Sequence, residues 1–391
     1  MLKRNDKIAE FQAPGKSAAP DAGTGQPRRS FFERVDWGVF WIVFLGMALF
    51  YAYTQAPTVT LEDSGELVVA ADYLGVPHPP GYPLWTIAAW FFTRIFRFVT
   101  YMGQPNPAWG VNFCSGFFGA LTCALVAMLV SRLGAIFGGA VDDSGRRQLR
   151  WPSAVGGVAA GYLLGFNGLF WSQSVIAEVY TINAFLHMLI LLLSVMWIYR
   201  GQDNRILYWM SFVFGVSITN CQPIVFLGPS LLIVFYFTDR PLFRDCMALG
   251  LALVGAYMLR SASLTLPGVQ VATHRGAKTL VAVLMLASPL AIWLYTRRLL
   301  TEWRRIVIMT LCLGLGLSLF VYLPIASDFN PPMNWGYPRT WEGFKHAVGR
   351  GQYQALTPAL NIADIVRQVS VYLRELEIQY TILPMLAGLL P

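Results

Sequence analysis

Apolar and polar positions alternate along this chain in long blocks, with apolar runs at 37–56, 108–131, 151–170, 180–199, 206–219, 223–237, 245–259, 279–296 and 306–325. A tenth run begins at "YTILPMLAGLLP" and stops with the sequence. A helix needs about 20 apolar residues to cross a bilayer. The pattern therefore predicts an all-α polytopic membrane protein of nine or ten transmembrane helices. The runs at 206–219 and 223–237 are short, and a single span kinked at Pro223 is the alternative for that pair. The final run reads as the start of a further helix, which makes the sequence a fragment of a longer one.

Composition agrees with that pattern. Of 391 residues, 55% are hydrophobic and 13% charged, where a soluble domain carries about 25% charged residues. The net charge of +8 sits in short clusters between apolar runs, so it reads as a topology signal and not as a nucleic-acid surface. The five cysteines are scattered without metal-ligand or disulfide spacing. Residues 1–36 read as a disordered basic tail with no signal-peptide core.

Lys3, Arg4, Lys7, Arg28, Arg29 and Arg34 place the N-terminus in the cytoplasm. Alternation then puts Arg132/Arg146/Arg147/Arg150, Arg200/Arg205, Arg240/Arg244 and Arg297/Arg298/Arg304/Arg305 on the same side. The scheme requires that 81–99 not cross. Arg94 and Arg97 near its end, with Trp85 and Trp90 along it, suit an interfacial helix. The core is then 37–325, with 57–107 as the first external loop. A long external segment follows at 326–379, and the further helix begins at 380–391. Segments 170–180, 219–223 and 260–278 face the same external side.

Glu62, Asp63 and Glu66 crowd the start of that first loop, in a chain otherwise poor in charge. Asp63-Ser64-Gly65-Glu66 matches a capping box, with Gly75 at C′ and Pro77 closing the helix. The same carboxylates are candidates for a general base acting on a hydroxyl. "PHPPGYP" at 77–83 stiffens the chain after the helix, and any of its X-Pro bonds is open to the cis form. His78 there is either part of a rigid turn or a phosphate contact, and Tyr82 is a second donor-side candidate.

Glu178 and Tyr180 form a second polar group, read either as a structural hydrogen bond or as a functional carboxylate. Asn183 and His187, at i and i+4, read as helix-packing contacts. In "NPPMNWGYPRTWEGF" at 330–344, Trp335, Tyr337 and Trp341 suit a sugar face or an aromatic belt, with Asn334 and Arg339 as polar neighbours.

Three blocks carry a resemblance: "EDSGELVVAADYLGVPHPPGYPL", "SVIAEVYTINAF" and "YLPIASDFNPPMNWGYPRTWEGFKHAVGRGQY". In this order they resemble the protein O-mannosyltransferase-like family, a branch of the GT-C membrane glycosyltransferases. The resemblance implies a GT-C-like helical bundle that moves a sugar, mannose in this family, from a polyprenyl-phosphate donor to an extracytoplasmic protein Ser or Thr hydroxyl. It also implies a catalytic acid in the first external loop, which falls on Asp63, with Glu62 and Glu66 as alternatives. His78, Tyr82, Arg94, Arg97, Glu178, Tyr180, Asn334, Trp335 and Arg339 become donor-binding candidates. The sequence departs from the family at Ala326, where relatives often carry Arg, at Tyr337, and at Cys221-Gln222. Losing that Arg removes a clamp for the leaving phosphate, and Arg275 or Lys278, besides Arg94 and Arg97, are the replacements in view.

On this reading the partners are the bilayer, the lipid-linked donor and a secreted or membrane protein acceptor, with no nucleic acid. The only cofactor in view is a divalent metal at the phosphate. The location is an integral membrane site, the plasma (inner) membrane if bacterial. The rival classes are a flippase or transporter of a lipid-linked substrate and a catalytically silent prenyl-phosphate-binding scaffold.

Overall fold

The computed structural model describes residues 30–60, 62–137, 150–260, 264–266, 269–271, 275–352 and 362–380. Side chains are described over the same residues except 260–278. Most of the expected basic tail, Arg146, Arg147 and residues 381–391 lie outside that set, as do the side chains of Arg275 and Lys278.

The chain is an all-α polytopic membrane protein. Helix α1 (Arg34–Thr54) is followed by the short α2 (Ser64–Tyr73) and α3 (Pro83–Ile95), and then by the long α4 (Pro107–Phe137). Helices α5 (Trp151–Gly165) and α6 (Gly168–Ser174) bend by 69° at Phe166–Asn167. Next come α7 (Tyr180–Tyr199), α8 (Asn204–Asn220), a 3₁₀ turn (Gln222–Leu227) and α9 (Gly228–Thr238). Helices α10 (Arg240–Arg260), α11 (Arg275–Thr296) and α12 (Trp303–Leu317) lead through a second 3₁₀ turn to α13 (Tyr322–Asp328). Helices α14 (Trp341–Val348) and α15 (Ile362–Tyr380) follow. Two small hairpins join α3 to α4 and α10 to α11.

Among the described residues, six helices are long and apolar enough to cross a membrane, or seven if α5 and α6 count as one bent span. Hydropathy predicts nine or ten, of which the tenth lies outside the described residues. The separate runs 206–219 and 223–237 are α8 and α9, divided where Cys221 is extended and Pro223 follows, and each is shorter than the roughly 20 residues of a crossing. The 13 residues of α3 rise only about 20 Å, short of a crossing.

Close helix contacts depend on small residues. Gly157, Gly161 and Gly165 of α5 recur every fourth position, and a Cβ on Gly157 would stand 2.5 Å from the Ala127 carbonyl of α4. Helices α8 and α12 meet through Gly215 and Gly316 in the same way. Spacing of this kind lets backbones approach where lipid offers no hydrophobic drive between helices.

The end of α1 near Glu33 is locked by ions. Asp36 is fully buried, and its Oδ1 accepts from Ser131 Oγ and Arg150 Nη2, each at 2.8 Å. Glu33 bridges Arg132 at 2.8 Å and Arg150 at 2.6 Å. Phe31 is 1% exposed and packs on Tyr199, so the last residues of the expected tail are part of the bundle. Removing Asp36 takes two hydrogen bonds, one of them charged, from a buried site, while Arg150 keeps Glu33. Asp36→Ala is expected to lose about 1–3 kcal/mol, read by chemical denaturation in detergent, with Asp36→Asn losing less.

Candidate functional site

The acidic turn does not form the expected capping box. Asp63 stands at the N-cap of α2, but its side chain makes no cap hydrogen bond. Glu66 Oε1 instead accepts from the backbone N–H of His78 at 2.5 Å and lies 3.2 Å from His78 Nδ1. A histidine across the turn offers two donors to that carboxylate, where the cap would offer one. The left-handed residue that closes α2 is Leu74, not Gly75. Gly75 answers a different demand: a Cβ there would lie 2.5 Å from the Met333 carbonyl.

That close approach docks the distal loop. Val76 N–H donates to Met333 O at 2.8 Å, and Trp335 N–H donates to Val76 O at 2.9 Å, a parallel bridge between Val76 and Asn334. Tyr322 Oη donates to Gly75 O at 2.9 Å. The Pro79–Pro80 bond is cis. Gly81 lies in the left-handed region at φ 83°, against Leu323. Through these contacts the segments 62–84 and 330–335, far apart in sequence, share one end of the bundle.

Glu178 comes to the same place. Its carbonyl accepts from Trp85 Nε1 at 3.0 Å and from Ser115 Oγ at 3.2 Å, while Asn220 Nδ2 donates to the Val179 carbonyl at 3.3 Å. The backbone thus carries the structural role that the sequence leaves open for the carboxylate. The carboxyl group itself, 3% exposed as a residue, faces Glu62, Asp63 and His78. Burial pushes it up to about 7, Val179 N–H pulls the other way, the charges of Glu62 and Asp63 add to the rise, and His78 opposes it.

His78 is 8% exposed. Burial alone would favour its neutral form, but the Glu66 hydrogen bond and the charges of Glu66, Asp63 and Glu178 outweigh this and raise its pKa. Its Nε2 lies 2.9 Å from Tyr82 Oη and 3.9 Å from Asp63 Oδ2. Asp63 differs from its neighbours in being open, with 59% of its side chain exposed against 18% for Glu66.

Glu62, Asp63, Glu66, His78, Tyr82 and Glu178 therefore meet in one cluster. Asn334 and Trp335 border it through Val76, and Tyr180 lies in the field of Glu178, Asp63 and Glu62. Arg94 does not join: it bonds Asp72 at the other end of α2 and lies over Trp90. Arg97 is exposed beyond α3, and Arg339 is exposed over Tyr337. Ala326, where an Arg clamp was missed, is 7% exposed in an apolar cluster with Val76, Leu323 and Ala347. His187 Nδ1 lies 2.8 Å from the Asn183 carbonyl, a contact within its own helix.

Sequence reasoning missed Ser115 and Asn220. Asn220 falls within the polar break "TNCQP", a signal that could have been used; Ser115 lies inside an apolar run and gives none.

For a metal ion, Asp63, Glu66 and His78 offer ligand atoms within 4.8 Å of one another. Both His78 nitrogens are engaged, Nδ1 beside Glu66 and Nε2 beside Tyr82, so a metal ion here would have to replace one of these contacts with a neutral, ligating nitrogen.

A carboxyl held above its usual value binds its proton more tightly in the native state. Its contribution to stability is full below the unfolded pKa and is lost as pH rises through the folded one. From pH 4.5 to about 7, the wild type is expected to lose on the order of 1–3 kcal/mol relative to Glu178→Gln. Parallel denaturation series check this, and identical pH slopes would contradict it.

The family model for the protein O-mannosyl-transferase TMEM260 N-terminal domain matches residues 63–245. A Mus musculus protein named protein O-mannosyl-transferase TMEM260 is 31% identical over 214 residues, covering 54% of this chain and 26% of that protein. A Dictyostelium discoideum protein named protein O-mannosyl-transferase tmem260 is 26% identical over 196 residues, 47% of this chain and 21% of that protein. The chain spans about a quarter of the length of these curated relatives. No solved structure matches. The matched segment opens on Asp63 and contains Glu66, His78 and Glu178, and over it the chain is similar to proteins named protein O-mannosyl-transferase.

Proposed function

We propose that this chain is a GT-C-type membrane glycosyltransferase. It moves a sugar, mannose by the names of its relatives, from a polyprenyl-phosphate donor to a hydroxyl of a protein on the extracytoplasmic side. The observation that carries the reading is the division of labour among the clustered carboxylates. Glu66 is held by His78 and Glu178 is buried, while Asp63 is open to an incoming substrate.

In this reading Asp63 accepts the proton of the acceptor hydroxyl as its oxygen attacks the anomeric carbon. The bond from that carbon to the phosphate oxygen breaks on the opposite face, and its electron pair leaves with the polyprenyl phosphate. The product is inverted, and the proton ends on Asp63. His78 holds Glu66 and lies within 3.9 Å of Asp63, beside the carboxylate that acts as base. Trp335, 43% exposed beside Val76, supplies a flat face for a sugar ring.

An apolar groove supports a lipid-linked donor. It measures about 540 Å³ and is lined by Leu84, Phe212, Val216, Leu315, Tyr322 and Ile325, among others. Leu84 lies two residues after Tyr82, and Tyr322 bonds the Gly75 carbonyl, so the groove begins beside the polar cluster. A prenyl chain would lie there in contact with the bilayer while its head group reached Asp63.

Asp63→Asn keeps the shape and removes the base. In membranes supplied with labelled polyprenyl-phosphate mannose, transfer to a protein acceptor is expected to fall about 10²–10⁴-fold. Unchanged transfer would sink the assignment of Asp63. Because both His78 nitrogens are engaged by Glu66 and Tyr82, the wild-type rate is expected to survive chelation by EDTA, and its loss would return the triad to a metal.

A further inference from the structure

The end of the bundle away from the carboxylate cluster carries an unbalanced charge. Gln202, after Tyr199, donates to the Thr238 carbonyl at 2.8 Å, so the start of α10 stands at that end. Residues 239–245 and 297–305 bring six arginines there against three carboxylates. Arg305 pairs with Asp239 and Glu302, and Arg244 with Asp245. Arg240, Arg297, Arg298 and Arg304 are exposed and have no carboxylate partner among the described residues. Arg240 lies over the ring of Tyr236, Arg297 over Trp293 and Arg304 over Trp303. Aromatic rings and cations together belong at the headgroup level of a bilayer.

An apolar groove of about 430 Å³ opens between α10 and α11 beside this charge. On α10, Arg240, Arg244, Met247 and Leu251 are spaced i, i+4, i+7 and i+11, so cations and apolar side chains share one stripe. Arg244, Met247 and Leu251 line the groove, and Ala291, Ile292 and Tyr295 of α11 face them. Tyr295 is 91% exposed, so that wall is open to lipid. Beyond Leu251 the two backbones meet: a Cβ on Gly255 would stand 2.7 Å from the Ala282 carbonyl. The groove is therefore closed at its apolar end and cationic at its mouth.

Hydrogen bonds hold that mouth in shape. Asp245 accepts from the N–H groups of Leu300 and Glu302 at 3.1 and 2.8 Å, and Arg244 Nη2 donates to Thr301 Oγ1 at 2.6 Å. The turn after α11 is thereby fastened to α10, next to Arg297 and Arg298. Thr296 Oγ1 accepts from the Arg298 N–H at 3.2 Å. Arg297 has φ +54°, a left-handed conformation usually left to glycine after a helix. The turn thus keeps an arginine where glycine would fit the backbone better.

We propose that this groove binds an anionic glycerophospholipid, whose phosphate meets Arg240, Arg297 and Arg298 and whose acyl chain lies against Met247, Leu251 and Ala291. A cationic mouth on an apolar trough matches that lipid at both ends, whereas a zwitterionic headgroup brings its own cation to an excess of arginines. The lipid-linked donor is a poor match, because its phosphate must reach Asp63. Helix α7 separates the two places by 20 residues, a rise of about 30 Å and the thickness of the hydrocarbon core. The site therefore serves the leaflet opposite to the one that meets the carboxylates, and it does not depend on the glycosyl-transfer reading.

The test uses the full chain in detergent and reads lipid binding by native mass spectrometry, with phosphatidylglycerol and phosphatidylcholine of the same acyl chains as probes. Wild type is expected to bind phosphatidylglycerol more tightly. Arg240→Gln, Arg297→Gln and Arg298→Gln combined are expected to weaken phosphatidylglycerol binding about 10- to 100-fold and leave phosphatidylcholine unchanged. Should that variant fail to fold, the three single changes carry the comparison at about five-fold each. Ala291→Trp, which fills the trough from an exposed position, is expected to remove binding of both lipids, with Ala291→Phe as the smaller plug. No preference in the wild type would overturn the proposal, as would an arginine effect that falls alike on both lipids. Unchanged phosphatidylglycerol binding in Ala291→Trp would also overturn it, leaving attraction by surface arginines without a seated chain. Displacement of phosphatidylglycerol by equimolar polyprenyl monophosphate would assign the groove to the donor instead and defeat the choice of a glycerophospholipid.

Discussion

The break between α6 and α7 is the constraint on which this architecture depends. Residues 175–179 leave helical geometry at the end of a spanning helix, where backbone carbonyls have little water to turn to. Three other segments satisfy them. Trp85 of α3 and Ser115 of α4 bond the Glu178 carbonyl, and Asn220 at the end of α8 bonds that of Val179. Each donor fixes its own helix relative to α7. The need to satisfy two carbonyls thus sets where α3, α4 and α8 stand, and with them the turn that carries Asp63 and His78.

The two ends of the bundle treat charge in opposite ways. At the Glu33 end, acids and bases are paired: Asp36 with Arg150, Glu33 with Arg132, Asp239 with Arg305, and Asp245 with Arg244 and the N–H groups of Leu300 and Glu302. A paired end is a lock, because each charge is neutralised where it stands. At the other end Glu62, Asp63, Glu66 and Glu178 gather around His78. Burying a carboxyl there costs folding free energy, as the raised pKa of Glu178 records, and the charges of Glu62 and Asp63 add to it. Such a cost is characteristic of sites that hold a group ready for chemistry.

The sequence made the class of fold legible because a bilayer allows few solutions: long apolar runs must become helices. Segment 81–99 was separable from the crossing runs through its arginines and tryptophans, and α3 is indeed too short to cross. The polar "TNCQP" separates the runs 206–219 and 223–237, and α8 ends there. The bend between α5 and α6 was less legible, because it falls inside the single apolar run 151–170. At the site, the acids and His78 stood out because charge is rare in this chain. The partner of Glu66 did not, because local spacing favoured a capping box while the competing donors of His78 come from a turn twelve positions on. The bond from Gln222 to the Val348 carbonyl was hidden for the same reason, because it spans 126 positions, which no local pattern encodes.

Three carboxylates of similar intrinsic acidity acquire different properties here through placement alone. Glu178 is withdrawn from water and held near neutrality in pKa, so its charge is weakest where the cluster is most crowded. Glu66 is fixed by both the backbone and the ring of His78, which spends its lone pairs on structure and leaves it poorly available to a substrate proton. Asp63 keeps its exposure and sits near the same imidazole without a bond to it. A base must be within reach of its substrate. Glu178 is buried and Glu66 is engaged by His78. Asp63 stays open because its neighbours absorb the burial and the hydrogen bonds that would otherwise fall on it.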